Sequence, residues 1–140
     1  MGSASTKQDS VLTKIRDFLQ LKPGWHFGEG KPPDKDIIER ALFLAERAIA
    51  ALFDVDAFPG IDGEIMVTVY HYNHYLEFTL ETDNSVTYVH EKDGKEVCYQ
   101  EHLSFETALK ELDNFREQIW NSSELSTASI LTQEEKSLKV

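Results

Sequence analysis

The sequence predicts an α+β fold: a four-stranded antiparallel β-meander packed on one face by helices, in the order α-α-β-β-β-β-α. Three observations carry this. Helical and strand patterns come in runs rather than alternating, which argues against a doubly wound α/β sheet. Three stretches repeat apolar residues at helical spacing. One long hairpin sorts its side chains into an apolar and a polar face in a single register.

The first helical stretch is "DSVLTKIRDFLQL", with Val11, Leu12, Ile15, Phe18 and Leu19 at helical spacing. Asp9 or Ser10 can cap it, and "KPG" stops it. After the motif "GWHFGEGKPP", residues 24–33, Asp34 is a candidate N-cap for a second helix. Ile38, Ala41, Leu42, Ala45, Ala48, Ile49 and Leu52 form its wide apolar stripe. The stretch "DVDAFPGIDG", residues 54–63, reads as a loop rich in turn residues. It holds three acids, but their spacing does not match a calcium-binding loop.

The sheet begins with "EIMVTVYHYNHYLEFTLE". With the turn at Tyr72-Asn73, His71 faces His74, Val69 faces Leu76, Val67 faces Phe78 and Ile65 faces Leu80. All of these fall on one face, and Tyr70, Tyr75, Thr68, Glu77 and Thr79 fall on the other, free for solvent or a partner. Tyr72 does not readily take the left-handed backbone of a tight turn. "SVTYVHE" and "KEVCYQE", joined by Asp93-Gly94, supply strands three and four. Their facing stays open. A two-residue turn sends Val89 and Cys98 inward, and a three-residue turn sends Val86, Tyr88, Val97 and Tyr99 inward. "LSFETALKELDNFREQIW" is the third helix, capped by Ser104. The expected organisation is a flexible start at 1–8, one domain at 9–120 and a polar, disordered tail at 121–140.

The 140 residues carry a formal charge of -11. That argues against direct nucleic-acid binding and against an anionic membrane surface. No apolar run approaches the length of a membrane span. Cys98 is the single cysteine, so no internal disulfide can form, and a reducing cytoplasm is expected. Lying in a strand with no neighbouring base, Cys98 reads as an inert thiol.

No catalytic constellation stands out, and no cofactor is expected. "GWHFGEG" follows a helix, lacks the Lys-Ser/Thr pair of a P-loop, and places Glu29 where an anion would approach. Trp25 and Phe27 therefore either plug the core or grip a partner. His71 and His74, facing across the hairpin, form a two-imidazole metal candidate without a convincing third ligand. The partner-binding candidates are Trp25, Glu29, Tyr70, Tyr72, Tyr75 and Glu77.

The stretches "GWHFGEGKPPDKDIIERALFLAE", "FPGIDGEIMVTV" and "YLEFTLETDNSVTYV" resemble a scattered group of small bacterial proteins. Their shared pattern is a Trp, a glycine-acid-glycine turn and a Pro before a helix, then a step into a β-meander. Trp25, Gly28, Gly30, Pro32, Asp62, Gly63 and Glu64 carry it, over residues 24–92. The group is mainly uncharacterised, with members in mobile-element or toxin–antitoxin-like contexts. His26-Phe27 departs from its small or acidic spacer, and no functional residue transfers. The expectation is a non-catalytic interaction factor for a protein partner of basic character, antitoxin-like or defence-associated. The alternatives are a small metal-dependent hydrolase using the hairpin histidines and an acidic inhibitor that mimics nucleic acid.

Overall fold

The computed structural model describes residues 3–139, and the side chains of residues 10–122. Contacts divide the chain into two units, Met1–Leu109 and Lys110–Val140. The first holds helix α1 (Ser3–Asp17), a 3-10 turn (Phe18–Gln20), helix α2 (Lys35–Ala50) and five strands: β1 (Asp54–Pro59), β2 (Ile65–His71), β3 (His74–Leu80), β4 (Val86–Lys92) and β5 (Lys95–Leu103). Helix α3 (Phe105–Lys139) starts in the first unit and makes up the second. Its backbone continues past Trp120 through the stretch expected as a tail, and that of α1 begins within the stretch expected as a flexible start. The class is α+β, with an antiparallel meander in the order β1-β2-β3-β4-β5.

The fifth strand corrects the expected four. From sequence, residues 54–59 read as part of a loop because acids and Pro59 mark turns. Their side chains nevertheless alternate: Val55 and Ala57 are buried while Asp54 and Phe58 are exposed. That is the signature of a strand with one wet face. Pro59 is tolerated because it closes the last pair of an edge strand, opposite Ile65.

Helix α2 is fixed at both ends by local chemistry. Asp34 Oδ1 accepts from the Ile37 N–H at 2.9 Å, and Asp36 sits in the first turn, where the helix dipole favours an acid. At the far end Leu52 takes φ 68°, and the N–H groups of Leu52 and Phe53 donate to the carbonyls of Ile49 and Ala48. This is a Schellman stop with leucine where glycine is usual. Between them Ile37, Ile38, Ala41, Leu44, Ala45 and Ala48 are buried. They pack with Val11, Ile15 and Phe18 over the inward face of the sheet: Val55, Ala57, Ile65, Val67, Val69, Leu76, Phe78, Leu80, Val86 and Tyr88.

The hairpin register is the one the side-chain sorting requires, from Ile65↔Leu80 to His71↔His74. The facing of β4 and β5 mixes the two alternatives. Lys92 pairs with Lys95 across a two-residue turn, but the register shifts by one between His90↔Cys98 and Glu91↔Glu96, leaving Val97 as a bulge. Val86 and Tyr88 therefore point inward together with Cys98, while Val97 and Tyr99 stay exposed.

Candidate protein-binding face

Helices cover one face of the sheet, and the register defines the composition of the other. One row across it reads Asp54, Tyr70, Tyr75, Glu91, Glu96, and the next reads Asp56, Thr68, Glu77, Val89, Tyr99. Phe58, Met66 and Thr79 begin a third. Among the described residues no strand contributes Lys or Arg to this face. Lys92 and Lys95 lie on the helix-covered side, in the row of His71 and His74. The face therefore combines aromatic rings with carboxylates, of which Asp56 is paired by Lys14 of α1. Three of the expected binding residues meet here: Tyr70 and Tyr75 pack with ring centroids 5.4 Å apart, and the Tyr75 hydroxyl donates to Glu77 Oε1 at 2.8 Å.

A second pair repeats this arrangement on β5, where the Tyr99 hydroxyl donates to Glu101 Oε1. Burial, followed by the bond to Glu77, raises the Tyr75 pKa above its ordinary range. For Tyr99 the bond to Glu101 is the first cause of the rise. Both phenols thus remain protonated donors. A third ring–acid pair lies on β1, where Lys14 of α1 reaches the edge of the face. Its Nζ is 2.9 Å from Asp56 Oδ1 and 4.3 Å from the centre of the Phe58 ring.

Thr68 sits within this face at 1% exposure, and its Oγ1 has no hydrogen-bond partner. An unmet buried hydroxyl costs about 1–3 kcal/mol relative to a satisfied one. Thr68→Val keeps the β-branched shape, so it is expected to raise stability by about 1 kcal/mol in urea denaturation.

His71, His74 and His90 lie on the opposite, helix-covered side of the sheet. His71 and His74 face one another as expected, but the close contact is between His74 Nδ1 and His90 Nε2, at 2.9 Å. The His71 ring instead packs against Phe53, with centroids 5.0 Å apart. Among the described residues no group of three or more His, Cys, Asp or Glu is arranged to hold a metal ion. The His74–His90 bond requires one ring to accept, so it fails when both are protonated. Burial is the first cause lowering both pKa values, followed by Lys92 for His74 and by His74 for His90. The unfolded chain then binds more protons than the folded one below about pH 6.5. Stability from this pair is complete above that pH and is lost as pH falls from it toward the lowered folded values. Thermal melts should show a fall in Tm between pH 7 and 5 that is shallower in His90→Gln.

Trp25 and Glu29 lie elsewhere, on the loop that the Lys31 N–H ties to the Ile61 carbonyl. His26 and Glu29 exchange backbone bonds of 2.7 and 2.9 Å around Phe27-Gly28, whose φ angles are both positive, the pattern of a type I′ turn. Trp25 is half-buried, folded back so that its Nε1 donates to the Lys31 carbonyl at 3.1 Å. Phe27 is the ring left in water, at 95% exposure. Tyr72 is at 94% exposure, on the β2–β3 turn at the other end of β2. The expected binding residues therefore divide into the sheet face, this turn tip and the glycine loop. Reading residues in isolation missed Asp54, Asp56, Phe58, Tyr99 and Glu101, because β1 and the facing of β5 were not legible.

No protein-family model, curated protein or solved structure matches the chain. Among the described residues no helix is long and apolar enough to cross a membrane.

Proposed function

We propose that the protein is a non-catalytic interaction factor that docks a basic protein partner on the open face of its sheet. One observation carries this reading: the strands place Glu77, Glu91, Glu96 and Glu101 among Tyr70, Tyr75 and Tyr99 with no strand Lys or Arg on that side. Clustered like charges between aromatic rings supply attraction for a cationic surface and flat apolar area to hold it. An antitoxin-like or defence-associated accessory role is the setting this activity suits, in line with the resemblance of the glycine loop and meander.

Titration with deca-lysine tests the proposal. Binding should weaken steeply as salt rises, and Tyr70→Ala with Tyr75→Ala should weaken it further, by roughly tenfold. Salt-insensitive binding, or full binding by the double variant, would count against it.

A further inference from the structure

Asp56 and Phe58 stand two residues apart on one face of β1, and Lys14 fills the space between them, bonded to the carboxylate and lying over the ring. The same unit, an aromatic ring and an acid two residues apart on the same face, recurs as Tyr75–Glu77 on β3 and Tyr99–Glu101 on β5. In both, the phenol hydroxyl bonds one glutamate oxygen, Oε1, which fixes the carboxylate beside its ring. Lys14 thus shows, within the molecule, how an ammonium is held by this unit. The ion pair supplies the charge contact, and the ring supplies cation–π attraction.

We infer that Tyr75–Glu77 and Tyr99–Glu101 are two lysine clips that read a basic protein segment through paired lysine side chains. This rests on the docking role proposed above and specifies its chemistry. The register sets the spacing: Val89 and Tyr99 lie in the row of Glu77, so the β5 clip is displaced by two residues along the strands and two strands across. With strands about 4.8 Å apart and a rise of about 3.3 Å per residue, the clips are about 12 Å apart. Lysines four residues apart in an extended segment point the same way and are about 13 Å apart. The preferred partner is therefore an extended segment with lysines at i and i+4. The lysine ammonium sits over the ring and reaches the acid, as that of Lys14 does at Phe58 and Asp56.

The test uses the full chain and three threonine-rich peptides of equal length, with two lysines four apart, two lysines adjacent, or two glutamines in place of the lysines. NMR titration should show the spaced peptide binding several-fold tighter than the adjacent one. Glu77→Gln with Glu101→Gln should cut its affinity roughly tenfold. Glu39→Gln with Glu46→Gln removes the same charge from exposed positions of α2 and should leave affinity within about twofold. Equal binding of spaced and adjacent peptides, or equal losses in the two double variants, would overturn the clips while leaving the basic-partner reading standing. Lysine peptides that bind no better than the glutamine peptide would overturn both. Spermine binding more tightly than the spaced peptide would overturn the protein segment as the occupant.

Discussion

Phe78→Ala is expected to lower unfolding stability by about 4 kcal/mol, the cost of emptying a large, fully packed core position. Phe78 has no exposed surface, and its ring lies 4.9 Å from that of Tyr88, its cross-strand partner on β4. Leu76 and Leu80 flank it on β3, and Val67 faces it from β2. The sheet side of this core is a pleated backbone with its ladder bonds made on both edges of β3, so it has little freedom to collapse into the void. Against a typical total of about 5–15 kcal/mol, the variant stays folded only with a small margin. Urea denaturation should show a lower midpoint with an unchanged slope. The same residue type behaves oppositely at position 27. There the ring is in water, in edge contact with the exposed His26 ring, and the backbone is at φ 52°, so Phe27→Gly empties no core position and relieves conformational cost. That variant should match or exceed the parent protein.

Gly30→Ala should cost about 2–3 kcal/mol. Gly30 adopts φ 105°, a conformation that side chains resist, and an added Cβ would lie 2.7 Å from Trp25 Nε1. The indole would have to move, and its bond to the Lys31 carbonyl would break. Gly28 is the internal control, since a Cβ there meets nothing within 4 Å and only its φ of 88° opposes the change. Gly28→Ala is expected to cost about 1 kcal/mol. In a Trp120→Phe background, Trp25 fluorescence should shift to the red in Gly30→Ala and stay unchanged in Gly28→Ala.

These two variants mark the division between what the residues announce and what only the fold reveals. The β2–β3 register was legible because a one-residue slip would send Val67 and Phe78 to the wet face. The α2 start was legible because Asp34 precedes the apolar stripe and Asp36 follows within one turn. Strand β1 was not, because Asp54, Asp56 and Pro59 carry turn chemistry while its inward residues, Val55 and Ala57, are small. The β4–β5 facing was hidden by a bulge at Val97, a position with no glycine to mark it. That loss matters for function, since Tyr99 and Glu101 share the face of Tyr75 and Glu77 only because of that bulge. Half of the acidic-aromatic face was therefore visible in the hairpin, and the other half depended on edge strands. The glycine loop posed a related difficulty. Trp25 and Phe27 were both candidates for burial, and the turn geometry at Phe27-Gly28 is what folds one ring in and turns the other out.

A cationic partner can either select one face of the sheet or respond only to the net charge of -11. Amide chemical-shift mapping of the full chain with deca-lysine at physiological salt separates these. Perturbations should concentrate on Thr68, Tyr70, Tyr75, Glu77, Val89, Tyr99 and Glu101, with α2 residues such as Glu39 and Glu46 unmoved. Perturbations spread evenly over the exposed acids, or concentrated on the helices, would contradict selection of that face.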